Sequence, residues 1–179
     1  MFLRRRIIRL LLNVPVAADR KDAANRTDTA QKLEKTMNRI DEAERFFRSG
    51  YNCTQAVLSS QLPESPLDLD TVLRLATGMG AGMGRTMRTC GAVTGALMIL
   101  GLRHGRGTGD EVEAQNECYA RVRRFLERFS SIHGSTECRE LLEHIDLSTP
   151  EGQSAFRDRG YRDRCAGFVR SAVELLEEE

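Results

Sequence analysis

Cysteines are the side chains of this 179-residue chain that offer the most chemistry, and there are five of them. They are widely spaced, at Cys53, Cys90, Cys118, Cys138 and Cys165. No two of them form a CxxC pair, so the sequence contains neither a local zinc-ribbon motif nor a thioredoxin-type motif. The odd number and the long spacing also differ from those of small secreted disulfide scaffolds. Such thiols can exchange disulfides, bind a metal or fill a core as small apolar groups.

Two of the cysteines lie at predicted helix starts. Cys90 opens the apolar segment that follows a glycine-rich stretch, and Cys138 lies in the first turn of a later helix. Unpaired backbone amides and the helix dipole stabilise a thiolate at such positions. Arg85 and Arg88 precede Cys90, and their positive charge is expected to lower the pKa of its thiol further. We therefore expect activated thiols at Cys90 and Cys138.

The other cysteines are predicted to lie inside helices. Cys53 falls on the apolar stripe of a helix predicted over residues 37–60, and Cys165 falls on the stripe of a last helix that starts near Tyr161. These two would supply partly buried partners for the activated thiols. Cys118 has no capping position and is expected to be a core residue only.

The stretch "GMGAGMG" (residues 78–84) joins two predicted helices. Alternating glycines cannot hold a regular helix, so we expect an irregular or closely packed segment. Its spacing fits neither a P-loop nor a dinucleotide-binding fingerprint. Gly91 and Gly95 lie one turn apart on the next helix, where small residues would let another helix and its cysteine approach Cys90. The apolar run that follows has about 13 residues, which is too short to span a bilayer.

The periodicity of apolar residues predicts an all-α fold. We expect a single compact domain of about five to six helices over residues 37–179, with the glycine-rich segment as its irregular part. Residues 1–36 are predicted to be a disordered N-terminal extension. Arginines followed by a short apolar stretch at residues 4–8 match a loose twin-arginine pattern, so export is the alternative to a cytoplasmic location.

Composition narrows the classes of partner. The chain has a net charge of +1, with 40% hydrophobic and 30% charged residues, which is typical of a soluble globular protein. Without a basic excess there is no electrostatic basis for nucleic-acid binding, and we expect no stable membrane insertion. The composition leaves a homo-oligomer open and does not identify a redox partner.

Four segments resemble a bacterial and archaeal family known as C_GCAxxG_C_C, whose members are described as redox-active from their cysteines. The segments are "GYNCTQAVL" (residues 50–58), "CGAVTG" (residues 90–95), "CRELL" (residues 138–142) and the late Cys165. The resemblance runs from Met37 to Glu179, and the CGAxxG motif is its most specific part. It implies that the family's four cysteines are Cys53, Cys90, Cys138 and Cys165, and that Cys118 is not one of them.

Three hypotheses follow for these cysteines. In the first, Cys90 is the attacking thiolate of a thiol–disulfide exchange or electron-transfer protein, Arg85 and Arg88 support it, and one of the other three family cysteines resolves the mixed disulfide. In the second, the four thiolates bind zinc or an iron–sulfur cluster. In the third, the chain is a non-enzymatic helical interaction protein with cysteines in its core. The sequence leaves open whether the protein is an enzyme and whether it uses any cofactor.

Overall fold

The computed structural model describes the backbone of residues 20–179, and the side chains of residues 28–179 other than Glu64. In this part of the chain the protein has eight α-helices and no strand, which confirms the all-α prediction. The helices are α1 (Arg20–Arg48), α2 (Cys53–Ser60), α3 (Leu69–Thr77), α4 (Gly91–His104), α5 (Val112–His133), α6 (Cys138–Leu141), α7 (Pro150–Asp158) and α8 (Tyr161–Leu176). The predicted number of five to six was too low, because the chain breaks between α1 and α2 and because α6 is a single turn.

The chain divides into two units, residues 1–38 and residues 39–179. Every contact discussed below lies within the second unit. The twin-arginine-like pattern lies outside the described residues. The predicted disordered extension lies mostly outside them too, although α1 begins at Arg20, within residues 1–36. The division of the chain at Met37, the disorder and the location therefore stay predictions. Among the described residues, no helix is both long enough and apolar enough to cross a membrane.

The core of the second unit is built on α2 and α4, which pack closely together, with α8 across both of them. Helix α5 packs against α4 and α8, and its Phe125 and Phe129 are fully buried. Close packing of α2 on α4 depends on Gly95, since a Cβ there would lie 3.0 Å from the Cβ of Val57. The predicted role of this glycine in helix approach is thus present in the packing.

The chain breaks at residues 49–52, where one continuous helix was predicted. Gly50 has a φ of +111°, which a residue with a side chain rarely adopts. Asn52 then starts a new helix through a capping box with Gln55, in which each side chain bonds to the other's backbone amide. As a consequence Cys53 is the first residue of α2, and the prediction that it lies inside a helix was wrong.

Local signals set several other helix boundaries. The side chain of Asp68 caps α3, and that of Thr149 caps α7 ahead of Pro150. Helix α5 ends at Gly134 in the left-handed conformation, with a φ of +84°. Residues 78–84 are irregular as expected: Gly80–Met83 form one helical turn, but the interior of that turn is left-handed.

Candidate functional site

Four cysteines line a single cavity of about 350 Å³. They are Cys53, Cys90, Cys138 and Cys165, and each is only 3% to 8% exposed. A cavity of this volume lies at the small end of the range for small-molecule sites. Cys118 is buried elsewhere, with its Sγ 3.8 Å from the carbonyl oxygen of Leu100. All five thiols are free. The structure thus groups the four family cysteines and separates the fifth from them.

Asn52 positions Cys53 from the residue before it. Its Oδ1 accepts a hydrogen bond from the amide of Gln55 at 3.0 Å, which caps α2. Its Nδ2 donates to the carbonyl oxygens of Ala76 and Thr77 at 3.2 and 3.1 Å, and these carbonyls end α3. The start of α2 is therefore tied to the end of α3, and Cys53 is held at that junction.

Two polar residues that follow Cys53 hold α2 in place on its other sides. The hydroxyl of Thr54 is fully buried and donates to the carbonyl oxygen of Gly91 at 2.9 Å. The amide nitrogen of the Gln55 side chain donates to the carbonyl oxygen of Leu73 at 2.9 Å. A Cβ on Gly91 would lie 2.9 Å from the Thr54 hydroxyl oxygen and 3.2 Å from the Cβ of Cys53. Only glycine at position 91 allows α2 and its cysteine to come this close to α4.

Two glycines of the 78–84 segment contact the site directly. A Cβ on Gly80 would lie 2.5 Å from the Cβ of Asn52. A Cβ on Gly82 would lie 2.7 Å from the backbone nitrogen and oxygen of Arg88, and 2.8 Å from the Cβ of Cys138. Real Cβ atoms do not approach other atoms so closely, so the segment can pack here only with glycine at these positions. The glycine-rich stretch is thus the wall that brings α2 and Cys138 together.

The same segment and the three residues that follow it carry unusual backbone strain. Four residues with side chains have left-handed φ values between 53° and 68°, namely Ala81, Met83, Arg85 and Met87. Such conformations cost free energy in residues other than glycine and concentrate at functional sites. The strain supports treating this wall as part of the site.

Backbone hydrogen bonds join the two segments that carry Cys90 and Cys138. The amide of Cys90 donates to the carbonyl oxygen of Thr136 at 2.8 Å, and the amide of Cys138 donates to the carbonyl oxygen of Arg88 at 2.8 Å. The segments run antiparallel, as in one rung of a β-ladder. This pairing places Cys90 and Cys138, which are far apart in sequence, on neighbouring segments of the chain.

Cys53 is the common neighbour of the other three sulfurs. Interaction with the Cys165 thiol is the main cause that raises the pKa of the Cys53 thiol well above its ordinary value, and burial adds to it. Cys53 in turn raises the pKa of the Cys90 and Cys138 thiols. Any two-sulfur chemistry in the cavity can therefore involve Cys53.

Cys90 has the predicted helix start but not the predicted acidity. The backbone amides of Ala92 and Val93, in the first turn of α4, lower the pKa of its thiol. Burial outweighs them, and with the neighbouring Cys53 it raises the pKa of the Cys90 thiol to about 12. Burial also raises the pKa of the Cys138 thiol far above its ordinary value. The expectation of lowered pKa values at these two thiols was wrong. Helix starts and neighbouring arginines are signals that lie close by in the sequence, whereas burial depends on segments that are distant in the sequence.

Three arginines lie around the cavity: Arg85, Arg157 and Arg162. All three are exposed, and no Asp, Glu, Lys or His side chain among the described residues lines the cavity with them. The guanidinium of Arg162 donates to the carbonyl oxygen of Phe47 at 2.5 Å and lies 4.8 Å from the centre of its ring. The cavity wall is otherwise largely apolar, with Phe47, Tyr51, Leu141, Leu142, Phe156 and Phe168. Arg88, the other arginine expected near Cys90, is exposed and does not line the cavity.

Sequence reasoning missed several residues of this site. Asn52 and Gln55 could have been found, because an Asn three residues before a Gln ahead of an apolar run is a capping-box signal. Arg157 and Arg162 carry no local signal, since they come to the cavity from α7 and α8. The predicted roles of Cys90, Arg85 and the other site residues in catalysis remain predictions.

The second hypothesis for the cysteines required four thiolates to converge on a metal. Among the described residues, no group of three or more His, Cys, Asp or Glu side chains is placed to hold a metal ion. The arrangement therefore does not fit the tetrahedral sulfur cage of a structural zinc site.

One family model matches the chain. It is described as "Putative redox-active protein (C_GCAxxG_C_C)" and covers residues 51–179, which include all four cavity cysteines. No curated protein and no solved structure matches the chain significantly.

Proposed function

We propose, from the premise that this chain belongs to the C_GCAxxG_C_C family, that its cavity cysteines carry out thiol–disulfide exchange with a substrate. The observation that carries the proposal is the grouping of the cysteines. Four free thiols from four separate segments line one cavity of about 350 Å³, and the fifth cysteine is buried elsewhere. If the cysteines only filled the hydrophobic core, that role would not explain why they share a cavity with exposed arginines at its edge.

Cys90 is the best candidate for the attacking sulfur. A thiolate is the nucleophile in disulfide exchange, and the amides of Ala92 and Val93 act to lower the pKa of this thiol. They would stabilise the negative charge once the proton has left. Because burial holds the pKa of Cys90 at about 12, the reaction rate is expected to rise with pH throughout the neutral and mildly alkaline range.

Cys53 is the best candidate for the resolving sulfur, because it adjoins Cys90, Cys138 and Cys165. In the proposed step the Cys90 thiolate attacks a substrate disulfide. One half of the substrate forms a mixed disulfide with Cys90, and the other half leaves and takes up a proton. The Cys53 thiolate then attacks the Cys90 sulfur, and the second half leaves as a thiol. The protein loses two electrons and two protons, and the substrate disulfide becomes two thiols.

Oxidation of the full-length reduced protein by hydroxyethyl disulfide tests this function. Samples are quenched with acid, and the mass and the linked peptides are determined. We expect the loss of two hydrogens and a disulfide between Cys53 and Cys90. With Cys53→Ser we expect the mixed disulfide on Cys90 to accumulate, since its resolving thiol is absent. Cys118→Ser is the matched control, because this cysteine is buried outside the cavity, and it should form the same disulfide as the wild type.

Two outcomes contradict the proposal. If the wild type gains no disulfide among its cavity cysteines under conditions that oxidise a small dithiol, the exchange function is wrong, and the interaction-protein hypothesis gains support. If Cys53→Ser forms an internal disulfide as fast as the control, the assignment of Cys53 as resolving sulfur is wrong.

A further inference from the structure

We infer that the substrate of the cavity is a small organic disulfide that carries carboxylate groups, held by Arg85, Arg157 and Arg162. This inference rests on the proposed exchange function and adds a substrate class to it. Its basis is the position and the pairing of the three guanidinium groups.

In the part of the chain that the structure describes, the three arginines are the only charged side chains that line the cavity. Within the described residues, none of them forms an ion pair with a carboxylate: the recorded salt bridges all involve other arginines. Three cations around one opening create a positive potential there, although the Glu137 carboxylate, outside the cavity lining, acts on the Cys90 and Cys138 thiols. An anionic ligand would meet that potential, and a cationic one would be repelled.

The arginines and the thiols lie at different depths, and this difference determines how a substrate would be oriented in the cavity. The arginines are exposed, whereas the four thiols are at most 8% exposed. A ligand that reaches both must therefore keep its charged end at the mouth and send its sulfur atoms inside. Aromatic and leucine side chains line the space between, and they suit a short carbon skeleton.

Arg162 is already held in position for such a ligand. It donates one hydrogen bond to the carbonyl oxygen of Phe47 and lies over the ring of the same residue. These contacts restrict the side chain, so less freedom is lost when the remaining N–H groups bind a ligand. It is also close enough to Cys53 to favour that sulfur's anionic form. A planar guanidinium matches the geometry of a carboxylate, to which it can donate two parallel hydrogen bonds.

Three disulfides of similar length and different charge test the inference. The probes are dithiodipropionate, which is anionic, hydroxyethyl disulfide, which is neutral, and cystamine, which is cationic. Rates of oxidation of the reduced full-length protein are divided by the rates for free dithiothreitol, so that intrinsic reactivity cancels. We expect the anionic probe to react about fivefold or more faster than the neutral one, and the cationic probe to be slowest, since an exposed ion pair supplies an effect of this size. Raised salt should reduce the preference.

The double variant Arg85→Gln/Arg157→Gln removes two charges while leaving Arg162 and its contacts with Phe47 intact. We expect it to lose most of the preference for dithiodipropionate. Arg157→Glu should shift the order toward cystamine. The matched control is Arg123→Gln, which removes an exposed arginine of α5 that does not line the cavity. Circular dichroism and thermal unfolding establish that each variant is folded.

The outcomes separate this inference from the proposed function. If all three probes react with the wild type at equal corrected rates, the exchange function stands and the substrate class is wrong. If the double variant keeps the preference of the wild type, the assignment to Arg85 and Arg157 is wrong. If no probe oxidises the cavity cysteines, the exchange function fails, and this inference fails with it.

Discussion

Two groups of arginines in this protein have opposite surroundings. At the C-terminal end of α8, the last three glutamates are in contact with arginines from other parts of the second unit. These arginines are Arg39, Arg103, Arg121, Arg124 and Arg128. Around the cysteine cavity, Arg85, Arg157 and Arg162 have no carboxylate partner among the described residues. The backbones differ too: α8 is a regular helix, and the glycine-rich wall has left-handed residues.

The difference indicates that the two regions have different roles. At the end of α8 the arginines contact the last glutamates, with Arg39 and Arg103 sharing Glu177, so the contacts stabilise the packing of that helix. At the cavity the three arginines have no carboxylate partner among the described residues, and they lie beside buried thiols and a strained backbone, which is typical of a site whose partner is a ligand. The comparison makes separate predictions for the two regions, because a change at the first should alter stability, and a change at the second should alter chemistry.

The largest effect on stability is expected at Glu177. Its carboxylate contacts Arg39 at 2.5 Å and Arg103 at 3.7 Å, and its side chain is only 10% exposed. Glu177→Gln should lower the free energy of unfolding by about 3 kcal/mol, since it removes the charge that compensates nearly buried cations. Denaturant unfolding at neutral pH measures this change.

Glu178→Gln provides the control for that prediction. Glu178 pairs with Arg128, but both side chains are at least 40% exposed. Loss of this pair should cost at most about 1 kcal/mol. If the two substitutions lowered the free energy of unfolding equally, burial would not distinguish these ion pairs. The stabilising role assigned to the buried contacts at the end of α8 would then be wrong.

The second prediction concerns alanine substitutions in the glycine-rich segment beside the cavity. Gly82 and Gly84 both have left-handed φ values, of 64° and 66°. A Cβ on Gly82 would clash with Arg88 and Cys138, whereas the nearest atom to a Cβ on Gly84 would be 3.7 Å away. Gly82→Ala should therefore cost about 2 kcal/mol, and Gly84→Ala, which adds only the conformational strain, about 1 kcal/mol. Chemical unfolding of the reduced proteins gives both values.

Gly82→Ala should also change the site, because the new methyl group pushes against the Cβ of Cys138. We expect its cavity thiols to react faster with an aqueous alkylating reagent than those of Gly84→Ala. If the two alanine variants have the same stability and the same thiol reactivity, then Gly82 does not need to be glycine for packing against Cys138.

How far the sequence predicts this molecule depends on whether a signal is local. Caps such as Asp68 and Thr149 and the stop at Gly134 lie within a few residues of the helix ends that they determine, so such signals can be recognised from the sequence. The break before α2 was missed because its apolar spacing continues that of α1. The positive φ of Gly50 outweighs that periodicity.

The site is likewise predictable only where its signals are local in the sequence. The family cysteines could be identified from their motifs, and the helix-start amides at Cys90 are present as predicted. The direction of its pKa shift could not be predicted, because it depends on how deeply three other segments bury the sulfur. Arg157 and Arg162 could not be assigned to the cavity for a similar reason, since only the packing of α7 and α8 brings them there.

The smallest predicted effect concerns the pH dependence of stability, and it tests the cavity side of the comparison. The folded protein holds the pKa of Cys90 at about 12, whereas the pKa of an unfolded cysteine is about 8.5. The folded state therefore keeps this proton where the unfolded state loses it. The stabilisation is complete below about pH 8.5 and is lost as the pH rises toward 12. Cys90→Ala removes this contribution.

Leu141→Ala is the matched control for Cys90→Ala, because Leu141 also lines the cavity but carries no ionisable group. Both variants should be less stable than the wild type at pH 7, since each removes buried side-chain atoms. Between pH 9 and 10 the deficit of Cys90→Ala should shrink by about 1 kcal/mol, whereas that of Leu141→Ala should stay constant. Unfolding in denaturant with a reductant present gives both curves. Parallel curves for the two variants would mean that the Cys90 thiol ionises in the folded protein as readily as in the unfolded chain, and its burial would then not govern its reactivity.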